Sequence, residues 1–234
     1  MTSSGIGSLM FGLVLLFSHS LSAEPLEVAV THFPPQFVVD ADGGISGPLV
    51  DVLTQTLDAV GVSYYLVSYP PKRLLRNLKS GESKIALGIK TTTANGIASA
   101  LYSKKAVHRI ELRILSLNST RLPEEISGLM GESIGLIRGY QYGFRRALLA
   151  KSETTRIVDL NGHRAGLGML INGRIRFLLD YKQPVESVIT VEQSKLIHHK
   201  TIQEIDMFFI VSKTVNDAEG LMQSMENIHF GGIR

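Results

Sequence analysis

Two arginines and a run of threonines are the side chains in this sequence best suited to bind a negatively charged group. Thr91 and Thr93 follow an apolar strand. Their hydroxyls and the free backbone N–H groups can cradle an anion, although a plain polar turn is the simpler interpretation. Arg73 begins a helix that follows a strand, and Arg138 ends another strand. A guanidinium at such a junction can pair with a carboxylate through two hydrogen bonds, and a solvated surface arginine is the alternative.

The sequence contains no pattern that is typical of catalysis or of a bound metal. His198 and His199 are adjacent, and adjacent residues of a strand point to opposite faces, so they cannot easily share one ion. The His-Glu-x-x-His, Gly-x-Ser-x-Gly, Ser-x-x-Lys and phosphate-loop patterns are missing. We therefore expect no catalytic residue, no metal and no cofactor. Asp51 and Asp180 are the carboxylates that an enzyme would use.

The composition excludes several classes of protein. The net charge of +3 is small and the basic residues are scattered, which argues against nucleic-acid binding. The chain has no cysteine, so disulfides, thiolate metal sites and a lipid-anchored cysteine are excluded. The apolar run from Leu9 to Phe17 is too short to span a bilayer, which needs about 20 residues. This run and the small residues before Glu24 predict a secretory signal peptide, residues 1–23, cleaved after Ala23.

Strands and helices alternate along the rest of the chain, which predicts sheets covered by helices. Hydrophobic patterning predicts strands over residues 26–31, 63–69, 84–89, 111–117, 133–138, 156–160, 175–179 and 206–211. Helices are expected over 47–60, 71–81 and 163–172, with a short one over 123–131 and one that carries Phe144 and Leu148 on a single face. A final helix is expected to begin with a capping box of Asn216 and Glu219.

The stretch from Thr31 to Asp51 combines a strand end, a double proline flanked by Phe33 and Phe37, a glycine-rich turn and a helix start. The double proline stops sheet pairing. Both phenylalanines thus lie at the carboxyl end of a strand, where open α/β sheets bind ligands, although core packing is the alternative. The stretch resembles the N-terminal signature of the bacterial extracellular solute-binding proteins of family 3. Those proteins are periplasmic receptors that close two lobes around an amino acid or a similar small polar solute.

The resemblance implies a two-lobe α/β fold, in which each lobe is a mixed, mostly parallel sheet flanked by helices. Lobe one would comprise residues 24–119 and 205–234. Lobe two, residues 120–204, would be inserted between them. The chain would cross between the lobes near residues 117–122 and 202–206, so that two crossings form a hinge and the ligand lies between the lobes.

The resemblance also assigns contacts to a ligand carboxylate. The family offers backbone N–H groups and hydroxyls from the stretch that contains Thr91 and Thr93 here, and its pattern continues with Tyr102-Ser103. The arginine that normally pairs with the carboxylate falls on Gly96. Arg73 and Arg138 are the candidates to replace it.

Further contacts follow from the same resemblance. Gly139-Tyr140-Gln141 occupies the place of a helix start that binds anions in the family, and its large side chains imply a more aromatic pocket. Asp180 ends a strand near the point where an acidic residue of the family binds the ligand's ammonium group. Independently of the resemblance, the sequence offers a candidate aromatic wall, with packing in the core or at the rim as the alternative: Phe33, Tyr69, Tyr140 and Tyr142.

These expectations converge on a periplasmic protein that captures a small polar solute, an amino acid or a related compound, for an inner-membrane ABC transporter or a sensor. We expect a monomer without enzymatic activity and without a nucleic-acid partner. Two alternatives remain open. One is an enzyme of the same fold, with dehydratase or lyase chemistry at cleft carboxylates. The other is a degenerate pair of lobes that binds another protein and has lost its small-molecule site, which the glycine at position 96 favours.

Overall fold

The computed structural model describes residues 24–90, 96–140 and 142–231. The predicted signal peptide and the candidate contacts Thr91, Thr93 and Gln141 lie outside these ranges. Within them, strands and helices alternate as the sequence predicts. No helix of the described ranges is both long and apolar enough to cross a membrane.

Eleven strands and seven α-helices make up the described chain. The strands are β1 (Leu26–Val30), β2 (Val38–Val39), β3 (Ile45–Ser46), β4 (Tyr64–Ser68), β5 (Ile85–Ile89), β6 (Ala100–Tyr102), β7 (His108–Leu117), β8 (Ser133–Ile137), β9 (Arg156–Leu160), β10 (Phe177–Tyr181) and β11 (Ile197–Ser212). The helices are α1 (Pro48–Val60), α2 (Pro71–Ser80), α3 (Arg145–Leu149), α4 (His163–Ile171), α5 (Lys182–Glu186), α6 (Val191–Ser194) and α7 (Ala218–Gly231), and a 3₁₀ turn covers Ile126–Leu129.

One large sheet contains all of these strands except β2 and β3, which form a small hairpin. Its order is β4-β1-β5-β11-β7-β10-β8-β9, and β6 pairs with the end of β11. The strands β4, β1 and β5 are parallel, and so are β10, β8 and β9. We call the first set, with β6, α1, α2 and α7, the first half. The second set, with α3, α4 and α5, is the second half.

The strands β7 and β11 join the two halves as a long antiparallel pair, from His108 opposite Met207 to Leu117 opposite Ile197. Residues 112–115 of β7 also pair with β10, and residues 207–211 of β11 pair with β5. The ladder is irregular between positions 201 and 203, where its register shifts. The chain therefore passes between the halves within two hydrogen-bonded strands. The lobe boundaries expected at residues 119–120 and 204–205 stay a prediction.

Proline and glycine set the ends of the long helices in the first half. Pro48 and Pro71 occupy the first turns of α1 and α2, where a backbone N–H has no partner inside the helix. Gly61 and Gly81 follow the last turns in the left-handed backbone region, with φ of 80° and 77°. The apolar face of α1 packs on the core and on α7.

Three predicted elements differ in extent or kind from the observed ones. The strand predicted over 206–211 is the end of the much longer β11. Its first part consists mostly of polar residues that are half-buried or exposed, so pairing with β7 rather than apolar content gives it a strand conformation. The strand predicted over 175–179 begins and ends later, as β10. The helix predicted over 123–131 is only a 3₁₀ turn.

Two predicted helix features are also wrong. Phe144 is 65% exposed and precedes α3, so it does not share a buried face with Leu148. The final helix begins at Ala218, so Glu219 lies in its first turn and Asn216 is not the residue that precedes it. The side chain of Asp217, whose φ is 52°, accepts a hydrogen bond from a backbone N–H of the first turn at 3.1 Å.

A single apolar cluster extends through both halves. It includes Leu53 of α1 and Phe209 of β11 in the first half, and Leu136 and Phe177 in the second. Full burial of a side chain of this size stabilises the folded state by about 1.5–3 kcal/mol. The halves therefore share a core along the continuous sheet.

Candidate functional site

Aromatic side chains from both halves meet where the carboxyl ends of three strands converge. Phe33 follows β1, Tyr140 follows β8 and Tyr181 ends β10. The Phe33 ring centroid lies 5.7 Å from that of Tyr140 and 5.4 Å from that of Tyr181. The buried ring of Tyr142 stacks on Tyr181 at 6.2 Å. These four residues form an aromatic cluster that spans the cleft between the halves.

The backbone around the double proline fixes Phe33 in this cluster. Phe33 and Phe37 exchange two backbone hydrogen bonds, of 2.8 and 2.9 Å, across the turn that Pro34 and Pro35 form. The Phe37 side chain is buried in the core of the first half, whereas the Phe33 ring contacts the second half. Of the two phenylalanines predicted from the sequence, Phe33 thus lies in the cluster, and Phe37 anchors the turn beneath it.

A chain of hydrogen bonds runs through the cluster and crosses the cleft. Oδ2 of Asp180 lies 2.7 Å from Nδ1 of His163, which carries the hydrogen because a carboxylate only accepts. Nε2 of His163 lies 3.1 Å from the hydroxyl of Tyr140, and this hydroxyl donates to the backbone carbonyl of His32 at 3.2 Å. Since His32 belongs to the first half and Tyr140 to the second, this last bond links the two halves directly.

The acidic end of this chain is fully enclosed. Asp180 has no exposed surface, and its second oxygen accepts from the backbone N–H of Tyr181 at 2.7 Å. Burial raises the pKa of Asp180, and the hydrogen bond with His163 opposes that rise. Burial also raises the pKa of the Tyr140 and Tyr181 hydroxyls, which therefore stay neutral. Because Asp180 is fully enclosed, its contact with a ligand ammonium group stays a prediction.

A cavity of about 130 Å³ adjoins the aromatic cluster. Among the described residues that line it, only Thr31, Tyr140 and Tyr181 have polar side chains, and none carries a charge. Its apolar walls come from the β1 end, α2, β5, β7 and β11, with Phe33, Phe37, Pro71, Leu74, Leu75, Leu78, Ala86, Leu87, Gly88, Ile89, Ile97, Ile110, Met207 and Ile210. The cavity therefore suits an apolar group.

Arg73 and Arg138 lie beside the cleft rather than in the cavity. Both side chains are exposed, Arg73 in the first turn of α2 and Arg138 directly after β8. Gly139 brings these two elements together, since a Cβ at Gly139 would lie 3.7 Å from Cδ of Pro71. The structure thus places both candidate arginines, and Gly139, where the two halves approach each other. Their contact with a ligand stays a prediction.

The position at which the resemblance implies an arginine is confined by Tyr102. Gly96 has a φ of 69°, and a Cβ at this position would overlap the Tyr102 ring. The Tyr102 hydroxyl is held in place by the backbone N–H of Ile97, which donates to it at 3.0 Å. Any larger side chain at position 96 would therefore displace the ring, which gives a physical reason for the glycine.

Sequence reasoning misses His163, Tyr181 and His32. Because β8, β9 and β10 are parallel, the residues that follow them share one edge of the sheet, and this signal places Tyr140, His163 and Tyr181 together. His32 contributes a backbone carbonyl, for which no side-chain signal exists. Tyr69, expected in the aromatic wall, instead donates to an acidic side chain of β1 at 3.2 Å. In the described ranges, no group of His, Cys, Asp and Glu side chains could hold a metal ion.

The chain is similar in structure to several solved binding proteins. An ancestral arginine-binding protein bound to arginine matches with a TM-score of 0.70 at 16% identity, over 89% of this chain and 93% of that one. The GluR0 ligand-binding core in complex with L-glutamate has a TM-score of 0.68 at 15% identity, with 91% and 95% covered. The substrate-binding protein of an amino acid ABC transporter has a TM-score of 0.65 at 16% identity, with 89% and 94% covered.

The chain has the two-lobe fold of these binding proteins. The fold implied by the stretch from Thr31 to Asp51 is thereby confirmed. No family model matches the sequence, and no curated protein matches it.

Proposed function

We propose that this protein is a periplasmic solute-binding protein, which captures a small molecule in the cleft between its two halves and delivers it to an inner-membrane transporter or a sensor. The observation that carries the proposal is the aromatic cluster, in which Phe33 of the first half meets Tyr140 and Tyr181 of the second beside a cavity. A ligand in that cavity contacts both halves. Binding of the ligand is then coupled to closure of the cleft.

The fold of the similar structures supports this role. Their names describe binding of arginine and of glutamate and, in one case, service to an amino acid transporter. In the present chain, two strands connect the halves, so a change of twist in the β7–β11 pair can open the cleft while each parallel set stays intact. The apolar run before Glu24 supports export. Export is tested by isolating the protein from the periplasm and sequencing its N-terminus, which should begin at Glu24.

Binding explains the hydrogen-bond chain better than catalysis does. The order of Asp180, His163 and Tyr140 is one that activates a hydroxyl for nucleophilic attack. Here, however, the Tyr140 hydroxyl already has partners on both sides, His163 and the His32 carbonyl. Burial also raises its pKa, which disfavours the phenolate. The hydrogen-bond chain therefore serves to close the cleft.

A ligand screen followed by solution scattering tests the proposal. The purified protein is screened by thermal shift against amino acids, polyamines, organic acids, sugars and small aromatic compounds. A ligand present at 100 times its dissociation constant stabilises the folded state by about 2.7 kcal/mol. The same ligand is expected to reduce the radius of gyration, because it closes the cleft.

Two variants locate the site. Phe33→Ala removes an aromatic side chain of the cluster and is expected to weaken binding at least tenfold. Tyr65→Ala removes an exposed aromatic side chain of β4, outside the cleft, and is expected to bind like the parent. Equal binding by both variants, or an unchanged scattering profile with saturating ligand, would contradict a site between the halves.

A further inference from the structure

The lining of the cavity limits the chemistry of the ligand, provided that the proposed function is right. One wall consists of Leu74, Leu75 and Leu78 of α2, and the facing strands add Ala86 and Ile210. These residues also pack together as a separate apolar cluster under α2. An ammonium, guanidinium or carboxylate group inserted here would lose its hydration without gaining an opposite charge from the described lining.

The size of the cavity sets the size of the group that fits. Its volume is about 130 Å³. An apolar cavity of about 150 Å³ lined by Leu, Ile and Phe binds benzene. One six-membered ring, or a branched alkyl group of about four to six carbons, is therefore the largest group that the cavity takes without rearrangement.

The polar side chains of the described lining all come from strand ends. The hydroxyls of Thr31, Tyr140 and Tyr181 belong to the strand ends that meet at the cleft, whereas the lining side chains of α2 are apolar. The exposed Arg73 and Arg138 also lie on the cleft side. The site as a whole therefore has an apolar inner part and a polar outer part.

We infer that the ligand is an amphipathic small molecule whose aromatic ring or branched alkyl group enters the cavity between α2 and the sheet, with its polar group left at the cleft. This ligand class differs from arginine and glutamate, which the similar proteins bind. It also differs from the small polar solute expected from the sequence.

Calorimetric titration with five probes tests the inference. Toluene offers the apolar group alone, L-phenylalanine and L-leucine offer it with a charged head group, and L-arginine and L-glutamate represent polar side chains. We expect toluene to bind and L-phenylalanine or L-leucine to bind at least tenfold more tightly than L-arginine and L-glutamate.

Substitution of Gly88 tests whether the apolar group occupies the cavity. Gly88 lies in β5 on the lining, and a Cβ there makes only an ordinary contact, 3.6 Å from Cδ1 of Ile210. Gly88→Val therefore fills cavity volume in a strand that favours β-branched residues. We expect it to weaken the binding of toluene and L-phenylalanine at least tenfold. The control Gly168→Val adds the same side chain to α4, where a Cβ has no neighbour within 4 Å, and should bind like the parent.

A second variant covers the case in which Gly88→Val does not fold. Leu75→Ala enlarges the cavity from the α2 side, and we expect it to shift the preference from toluene towards a larger ring system such as naphthalene. No shift in Leu75→Ala, or equal binding of toluene by the parent and a folded Gly88→Val, would overturn the inference.

The outcomes separate the inference from the proposed function. If L-arginine or L-glutamate binds and closes the cleft while the three apolar probes do not, the inference is wrong and the proposed function stands. If only a polar compound from the broader screen closes the cleft, the result is the same. If no compound binds in either experiment, both are contradicted.

Discussion

The Tyr140 hydroxyl carries one hydrogen, which it donates to the carbonyl of His32 across the cleft. Its oxygen also lies 3.1 Å from Nε2 of His163, whose Nδ1 lies 2.7 Å from the enclosed carboxylate of Asp180. Opening the cleft breaks only the bond to His32, because the other members of the chain all belong to the second half.

Removal of this hydroxyl should therefore change the position of the halves more than the stability of the fold. We expect Tyr140→Phe to have a larger radius of gyration than the parent at the same subsaturating ligand concentration, because the closed form loses a bond between the halves. Its unfolding free energy should fall by about 0.5–1.5 kcal/mol. Tyr142→Phe is the matched control, since its buried hydroxyl accepts from the backbone N–H of Ile137 within the same half. If both variants scatter X-rays identically, the bond to His32 does not hold the cleft closed.

The two exposed arginines allow a test of the polar end of the site. If Arg73 or Arg138 pairs with a ligand carboxylate, truncation of that residue to Ala should weaken L-phenylalanine binding by about 2–5 kcal/mol, because the carboxylate is left without its partner. Toluene binding should not change, since toluene has no carboxylate. Lys should restore only part of the loss, because it cannot form the planar bidentate pair.

Arg109→Ala is the control for these titrations, because Arg109 is exposed and pairs with Glu204 and Asp206 on β11. It should bind both probes like the parent. Unchanged L-phenylalanine binding in both the Arg73 and the Arg138 variant would exclude an arginine clamp in this cleft.

At the scale of the elements, an ionic cluster holds β7, β11 and α5 together where the two halves join. Glu111 of β7 accepts from Arg113 at 2.8 Å, from Lys182 of α5 at 3.0 Å and from Thr201 of β11 at 2.9 Å. The hydrogen bond from Lys182, followed by that from Arg113, lowers the pKa of Glu111 to about 2. The cluster thus fixes the second half to the paired strands.

This pKa predicts how stability depends on pH. An unfolded glutamate titrates near 4.5, so the carboxylate of Glu111 contributes fully above that pH, and its contribution is lost as the pH falls from about 4.5 to about 2. Glu111→Gln should lower the unfolding free energy at pH 7 by about 1–3 kcal/mol. As the pH falls from 5 to 2, the unfolding free energy of this variant should decrease less than that of the parent. Urea unfolding over this pH range measures both effects.

Glu124→Gln provides the comparison for Glu111. Glu124 also pairs with a lysine, Lys200, but its side chain is 82% exposed, so water screens the pair and the effect should be much smaller. Equal effects of the two substitutions would show that the Glu111 cluster does not stabilise the junction.

The sequence predicts those elements whose ends and faces depend on local chemistry. The α1 and α2 bounds follow from proline at the start, glycine at the end and a helical apolar period between them. The β9 strand was predicted over 156–160, as observed. By contrast, the first part of β11 contains His198 and His199 among other polar residues, and only its pairing with β7, distant in sequence, makes it a strand.

The site follows the same division between local and distant effects. Phe33 and Tyr140 are predictable because each follows a strand directly. The pair of His163 and Asp180 depends on the closeness of two strand ends in space, and the Tyr140 partner is a backbone carbonyl with no sequence signal. The size and apolar character of the cavity arise from the packing of α2 on β5 and β11, which the hydrophobic pattern alone does not specify.

At the scale of the whole molecule, the two halves differ in which segments of the polypeptide form them. The second half takes its three parallel strands from one continuous segment, residues 133–181. The first half also takes its parallel strands β1, β4 and β5 from one segment, residues 26–89, but β5 additionally pairs with the end of β11, and α7 packs on α1. Its sheet cannot pair fully until β11 is present.

This arrangement has a consequence for the order of events during synthesis. A ribosome releases the segment 133–181 well before β11 and α7, so the later-coded half can complete its own strand pairing while the earlier-coded half still waits for a partner. Domains of many proteins fold in the order in which they emerge. Here the earlier-coded half is expected to be completed last, and pulsed hydrogen exchange on stalled nascent chains should find the amides of β8 and β10 protected before the β5 amides that bond to β11.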